Sequence, residues 1–355
     1  MNRMANHYIK FIKKQIFSKN RLDFLILFVT SKCNSKCKTC FFYSQLNKKD
    51  DLRLEELYKI SDNLGNFTTL LLSGGEPFML QYLTDMCSKF IRDNNAKILS
   101  IPTNASLTNK IVKDTETLLR KYPNVTISIN PSIDGLKGTH DSIRGVKSSF
   151  DKAIETMKVL CILKEEYSNL QILVNTVIHK ENLDEIEELG MYLRKFNIDQ
   201  HVFELMRGDS ASKELKRINL EETKKIHKFI IENSKYYIKN NNYLGKISFL
   251  GSLNYMHHLK ELSVEGKKWP IECSAGKSIG VIYPEGDVAL CELKSVIGNL
   301  REVDYDFKKI LKIRKAKEEF RKIRNCSCTH VCFINSTMNN NFSSVFKIPY
   351  YYFRK

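Results

Sequence analysis

Three cysteines crowd into the stretch "SKCNSKCKTCFF": Cys33, Cys37 and Cys40. A closed structural zinc site takes four ligands, and this stretch supplies three thiols and no histidine. Three thiolates in one loop instead suit a 4Fe–4S cluster with one iron left open to a substrate or cofactor, thiolate being the usual cluster ligand. A second group of cysteines lies near the C-terminus: Cys273, Cys291, Cys326, Cys328 and Cys332. The turn signal "PEGDV" between Cys273 and Cys291 places those two on either side of a hairpin. Cys87 and Cys161 fall in amphipathic segments and read as small core residues.

The elements that must position these groups follow from the hydrophobic pattern. Apolar, β-branched runs of strand length recur at 23–30, 68–75, 97–105, 125–132, 170–178 and 199–206. Helix-period segments such as "RLEELYKISDNL" and "NLDEIEELGMYLRKF" lie between them. Alternating strands and helices imply right-handed crossovers and a parallel sheet. Near-continuous apolar strands imply burial on both faces. Six such units predict an α/β fold built on a partial (β/α)6 barrel. The site is expected at the C-terminal ends of the strands, and the first three cysteines directly follow the first strand.

The spacing C-x3-C-x2-C at that place resembles the radical S-adenosylmethionine (SAM) superfamily. "GGEP" after the second strand resembles the family motif that binds the SAM amino group, which implicates Gly74, Gly75, Glu76 and Pro77. "NPSIDGLKGTHDSIRG" after the fourth strand resembles a stretch of peptide- and sulfatase-maturating radical enzymes. By that resemblance Ser132 and Arg144 hold the SAM carboxylate, a task suited to the planar guanidinium fork. Asn104 then lies near the ribose or methionine, and Val177 lines the adenine pocket. One departure is Thr39, where the family usually carries a bulky residue; Phe41 and Phe42 follow it.

The C-terminal cysteines resemble a SPASM or twitch extension, which implies one auxiliary 4Fe–4S cluster in a small cysteine-rich domain. The expected ligands are Cys273, Cys291, Cys328 and Cys332, with Cys326 competing for the place of Cys328. A zinc site joined by His330 is the alternative. The resulting division is an amphipathic helix (1–22), the barrel (23–212), a helical connector (213–265), the cluster domain (266–335) and a tail (336–355). The implied activity is reductive cleavage of SAM and hydrogen abstraction, most readily from a ribosomal peptide or protein. The competing substrates are a small sugar or alcohol and a lipid. A non-enzymatic iron–sulfur or metal-binding module is the reading from another class. A flavodoxin or ferredoxin is the implied electron donor.

A formal charge of +17 admits nucleic acid, anionic membrane or acidic partners, but no nucleic-acid motif is present, and lysine on solvated faces accounts for the excess. The absence of a signal-like segment or a membrane-length apolar run points to the cytoplasm. The amino-terminal "NHYIKFIKKQIFSKNRL" places Tyr8, Ile9, Ile12 and Ile16 on one helical face. Such a helix would pack under the barrel or touch an anionic membrane surface. The aromatic "IPYYYFRK" at the other end would dock, line a cleft or stay mobile.

Overall fold

The computed structural model describes residues 22–48 and 50–354; the amino-terminal helix expected above lies outside the described residues. Six strands appear where the apolar runs place them: β1 (Phe24–Thr30), β2 (Thr69–Gly74), β3 (Ile98–Thr103), β4 (Thr126–Pro131), β5 (Leu170–Ile178) and β6 (Gln200–Leu205). Each pairs with the next in parallel. The crossovers carry α1 (Leu54–Leu64), α2 (Leu83–Asp93), α3 (Thr108–Lys121), α4 (Lys137–Arg144), α5 (Ser149–Glu166) and α6 (Ile186–Leu193).

Burial on both faces holds for β1, where Leu25, Ile26 and Leu27 are fully buried. Each such side chain contributes about 1.5–3 kcal/mol. The expectation fails at β2, β3, β5 and β6, which alternate buried with half-buried or exposed positions. A partial barrel covers only its outer face with helices, so positions on the inner face are less fully buried.

The chain continues through two long helices, α7 (Leu220–Tyr237) and α8 (Tyr243–Val264). The start of α7 is fixed by a reciprocal cap: Glu222 N–H donates to Asn219 Oδ1 at 2.9 Å, and Asn219 N–H donates to Glu222 Oε2 at 2.8 Å. Three short strands follow, β7 (Ile279–Ile282), β8 (Asp287–Ala289) and β9 (Val296–Asn299), then α9 (Phe307–Ile310), α10 (Arg314–Ile323), α11 (Val331–Asn339) and α12 (Ser344–Phe353).

The expected hairpin is β7–β8. Its first strand also lies parallel to β1, with Phe24 opposite Ile279. Among the described residues the result is one nine-stranded sheet, ordered β6-β5-β4-β3-β2-β1-β7-β8-β9. Both cysteine groups therefore hang from one continuous scaffold. The aromatic tail is docked as α12, with Tyr351 stacked on Tyr255 of α8 at 4.9 Å between centroids. Trp269 is an internal anchor: its indole N–H reaches Leu259 O and Ser263 Oγ at 2.9 and 2.8 Å. Among the described residues, no helix is long and apolar enough to cross a membrane.

Candidate active site and a second cysteine cavity

The loop after β1 is held at several points. Asp51 Oδ2 accepts from Thr30 Oγ1 at 2.7 Å and from Ser31 N–H at 2.9 Å. Asn47 Oδ1 accepts from Cys33 N–H at 3.0 Å. The loop is also bolted to α4: Lys36 and Lys38 N–H donate to the carbonyls of Arg144 and Ile143 at 3.1 and 2.9 Å.

Cys33, Cys37 and Cys40 lie close enough to act on one another electrostatically. Burial pushes the thiols of Cys33 and Cys40 up to about 11 and about 12, and each is raised further by Cys37. Cys33 Sγ accepts from Ser35 N–H at 3.4 Å. Left to themselves the Cys33 and Cys40 thiols stay protonated; a bound cation would have to displace the protons.

Arg144 lies beside them, its side chain 12% exposed. One arm donates to Cys37 Sγ at 3.7 Å, and the other meets Asp134 Oδ2 at 2.8 Å. The guanidinium expected at a SAM carboxylate thus meets the cysteine loop and Asp134, and its Nε has no hydrogen-bond partner. Ser132, its expected partner, donates its backbone N–H to Thr103 O at 2.9 Å. Asp134 also accepts from Val177 N–H at 2.9 Å, which ties the ends of β4 and β5 together. Asp134 is the third residue of the quoted "SIDG", between two residues the sequence reading singled out, and that reading passed over it.

The "GGEP" segment packs against the same loop. Gly74 has φ +112°, and a Cβ there would meet Thr30 O at 2.4 Å. A Cβ on Gly75 would meet Lys32 O at 2.0 Å and Cys33 Cβ at 3.1 Å. Both glycines thus let the cysteine loop sit directly on the end of β2. Glu76 is buried and accepts from Phe78 N–H, Thr103 Oγ1 and Asn104 N–H at 3.2, 2.8 and 2.7 Å. Burial pushes its carboxyl up to about 7 against those three donors. Pro77 is buried at the first position of the short 3-10 turn that follows. The Asn104 side chain reaches Asn34 Oδ1 at 2.7 Å and Ser35 Oγ at 3.2 Å, inside the cysteine loop. Val177 packs against Ile143, Met206 and Leu215. Phe42 is core, stacked on Tyr283, and Phe41 lies under the Arg207 guanidinium at 4.8 Å.

The second group converges on a cavity of about 160 Å³ whose walls include Cys273, Cys291, Cys326 and Cys328. Burial raises the thiols of Cys273, Cys291 and Cys328, the last to about 12. Cys332 is absent from that wall, and Glu204, Glu292 and Arg207 act on its thiol electrostatically. The structure thus gathers Cys326 with the other three and sets the expected Cys332 apart.

Glu292 and its neighbours form a buried ionic network that the sequence reading missed. Arg207 pairs with Glu204 and reaches Glu292 Oε2 at 3.3 Å, and His330 Nε2 contacts the same oxygen at 2.5 Å. Burial opposes ionisation of Glu292, yet His330 and Arg207 hold its carboxyl at about 2. His330, considered above as a zinc ligand, is engaged here. Charged residues just past the end of β6 were the available signal.

Among the described residues, no three His, Cys, Asp or Glu side chains gather closely enough for a single metal ion. Zinc–sulfur bonds of about 2.3 Å would bring tetrahedral sulfurs within about 4 Å of one another. By donor chemistry, both cysteine groups fit iron–sulfur clusters: one offers three thiols beside a cation, the other four thiols around a void.

Residues 27–193 match the model of the Radical SAM superfamily. The chain is 28% identical over 302 residues to an uncharacterized protein of Methanocaldococcus jannaschii, covering 83% of this chain and 93% of that one. It is 27% identical over 225 residues to the Fe-coproporphyrin III synthase of Methanosarcina barkeri, covering 62% of this chain but about half (53%) of that enzyme. Among solved structures, the fold is similar to that of anSMEcpe with bound AdoMet, at a TM-score of 0.59 and 16% identity, over 94% of this chain and 93% of that one. It is also similar to Streptococcus suis SuiB bound to the precursor peptide SuiA, at 0.61 and 16%, over 94% and 76%.

Proposed function

The chain belongs to the radical SAM superfamily, and on that premise we propose that it is a peptide- or protein-modifying radical enzyme with one auxiliary cluster. The observation that carries the reading is the convergence of Cys33, Cys37 and Cys40 over Arg144 at the end of β1. In this reading those three thiolates hold the SAM-binding 4Fe–4S cluster. Cys273, Cys291, Cys326 and Cys328 hold the auxiliary one, so Cys326 takes the place first given to Cys332.

When bound, the cluster and SAM supply a 5′-deoxyadenosyl radical able to take a hydrogen atom from an unactivated carbon. The protein's part is position. Gly74 and Gly75 seat the cysteine loop, Asp134 and Arg144 brace it from below, and Asn104 fixes its Asn34–Ser35 corner. In this reading Arg144 braces the loop through Cys37 and Asp134 and, with Ser132, would hold the SAM carboxylate when SAM is bound. The likeness of fold to a peptide-bound enzyme supports a peptide substrate, and a flavodoxin- or ferredoxin-type donor would supply the electron.

The test is anaerobic reconstitution with iron and sulfide, then incubation with SAM and a strong reductant. Formation of 5′-deoxyadenosine is expected. Its absence from protein that holds the first cluster would falsify the radical assignment.

A further inference from the structure

A large cleft of about 1130 Å³, with no cysteine among its lining residues, lies along the outer edge of β6. Clefts that take drug-sized ligands measure roughly 300–1,000 Å³, so this one exceeds the needs of a small sugar or alcohol. One wall is the strand itself, Gln200 to Phe203 without a break; the opposite wall comes from α8, α11 and α12.

No lining residue is Lys, Arg, Asp or Glu, although those make up 27% of the chain. The walls combine apolar side chains with amides and hydroxyls such as Asn335, Ser234 and Ser252. Two histidines also line it, and burial lowers the pKa of both, keeping them neutral. His257 is buried, and neither of its ring nitrogens has a hydrogen-bond partner. A buried polar group of this kind calls for a partner.

The strand offers more than side chains. Among the described residues β6 pairs with β5 and with no other strand. In a parallel ladder, alternate residues turn their backbone N–H and C=O to the two sides. The Phe203 carbonyl points away from β5, since it meets the Lys260 ammonium at 3.5 Å. His201, two residues earlier, therefore directs its N–H and C=O the same way, into the cleft.

We propose that an extended, uncharged stretch of substrate polypeptide binds in this cleft and adds a strand to the edge of β6; this rests on the peptide reading above. Main-chain bonds to an open edge would give affinity, and the amide-rich neutral walls would select residues without charge. The geometry also aims the peptide. One residue beyond the cleft, about 3.3 Å along the strand, Glu204 pairs with Arg207, which covers Phe41 next to Cys40. A peptide running along β6 is led toward the cysteine loop.

The test uses the reconstituted full chain and two fluorescent blocked peptides of equal length. One is built from Val, Ser and Asn; the other replaces two of its Ser with Glu. The neutral peptide is expected to bind at least tenfold more tightly by fluorescence anisotropy. In hydrogen exchange it should slow the amides of residues 200–203. Ser252→Trp, which fills the cleft, should weaken that binding at least tenfold, with iron content reporting that the variant has folded. Equal binding of both peptides, or protection elsewhere, overturns the proposal. Residues 200–203 already protected without peptide would assign the cleft to this chain itself and also overturn it. A preference for dodecanol over peptide, competing for the same protection, would mark a lipid site instead. SAM cleavage by the wild type is measured separately: its loss with peptide protection intact would sink the radical reading and leave the cleft standing.

Discussion

Arg144 bridges Cys37 and Asp134: one guanidinium arm reaches the sulfur at 3.7 Å and the other meets the carboxylate at 2.8 Å. The cysteine loop and the "SIDG" turn are thereby locked to each other through a buried charge. Removing one member of a buried pair strands the other and costs about 3–5 kcal/mol. Arg144→Met is expected to lose that much in denaturant unfolding. Arg144→Lys keeps the charge but cannot fork to both partners. It should retain the fold and lose its first cluster faster, read as decay of the visible absorption. Unchanged decay in Arg144→Lys would show that the contact with Cys37 does nothing for the cluster.

Replacing Cys33, Cys37 and Cys40 together with Ala should abolish 5′-deoxyadenosine formation. Iron content should fall from about eight to about four per chain, the difference between two cubanes and one. A fall to zero would mean that the C-terminal thiols hold no cluster of their own.

Cys326 and Cys332 separate the two possible ligand sets. Cys326 lines the four-thiol cavity, and Cys332 is absent from its wall. Cys326→Ser should lower iron content in the triple-Ala background, whereas Cys332→Ser should leave it in place. The reverse result would restore the assignment first read from spacing.

Gly75→Ala places a methyl group 2.0 Å from Lys32 O. Backbone cannot yield as a flexible side chain does, so the loop must move. Overpacking of this kind costs about 1–3 kcal/mol. The variant should unfold at lower denaturant and reconstitute poorly at the first site while keeping the second. Full iron loading at both sites would refute the close packing of loop on strand.

Glu56 joins α1 to the segment after β9. Its carboxylate accepts from Arg301 Nε at 2.7 Å and from Tyr305 Oη at 2.9 Å. The Arg301 hydrogen bond is the main reason its pKa falls from 4.5 to about 2. A carboxyl depressed by folding contributes stability that is present above the unfolded pKa and lost as pH falls through the folded one. The wild type should therefore lose its advantage over Glu56→Gln between about pH 4.5 and about pH 2, read as converging thermal midpoints. Midpoints that stay parallel across that range would show the pair to be inert.

The six parallel strands were legible because each is a compact apolar run bounded by turn residues, and the first cysteines were legible because their spacing is local. What was hidden is long-range. The guanidinium of Arg144 ends at Cys37 because Lys36 and Lys38 hang from the last carbonyls of α4, and nothing in either segment announces that docking. Cys326 and Cys328 lie outside any helix or strand, but Cys332 falls in the first turn of α11. Helix phase, which spacing alone does not reveal, sets where such a side chain goes. The network of Glu204, Arg207, Glu292 and His330 draws on three separate segments, far apart in sequence.

The pairing of β1 with β7 also bears on how the chain is made. Phe24 leaves the ribosome early and Ile279 late, yet they lie side by side in the finished sheet. Throughout most of synthesis the apolar edge of β1 has no neighbour on that side, and exposed strand edges invite pairing with other chains. The loop bearing Cys33, Cys37 and Cys40 springs from that same strand. Loading of the first cluster during translation would thus act on a half-closed sheet, whereas loading after release would act on one sealed by β7. Lower growth temperature and added chaperones during expression should therefore raise the yield of intact protein.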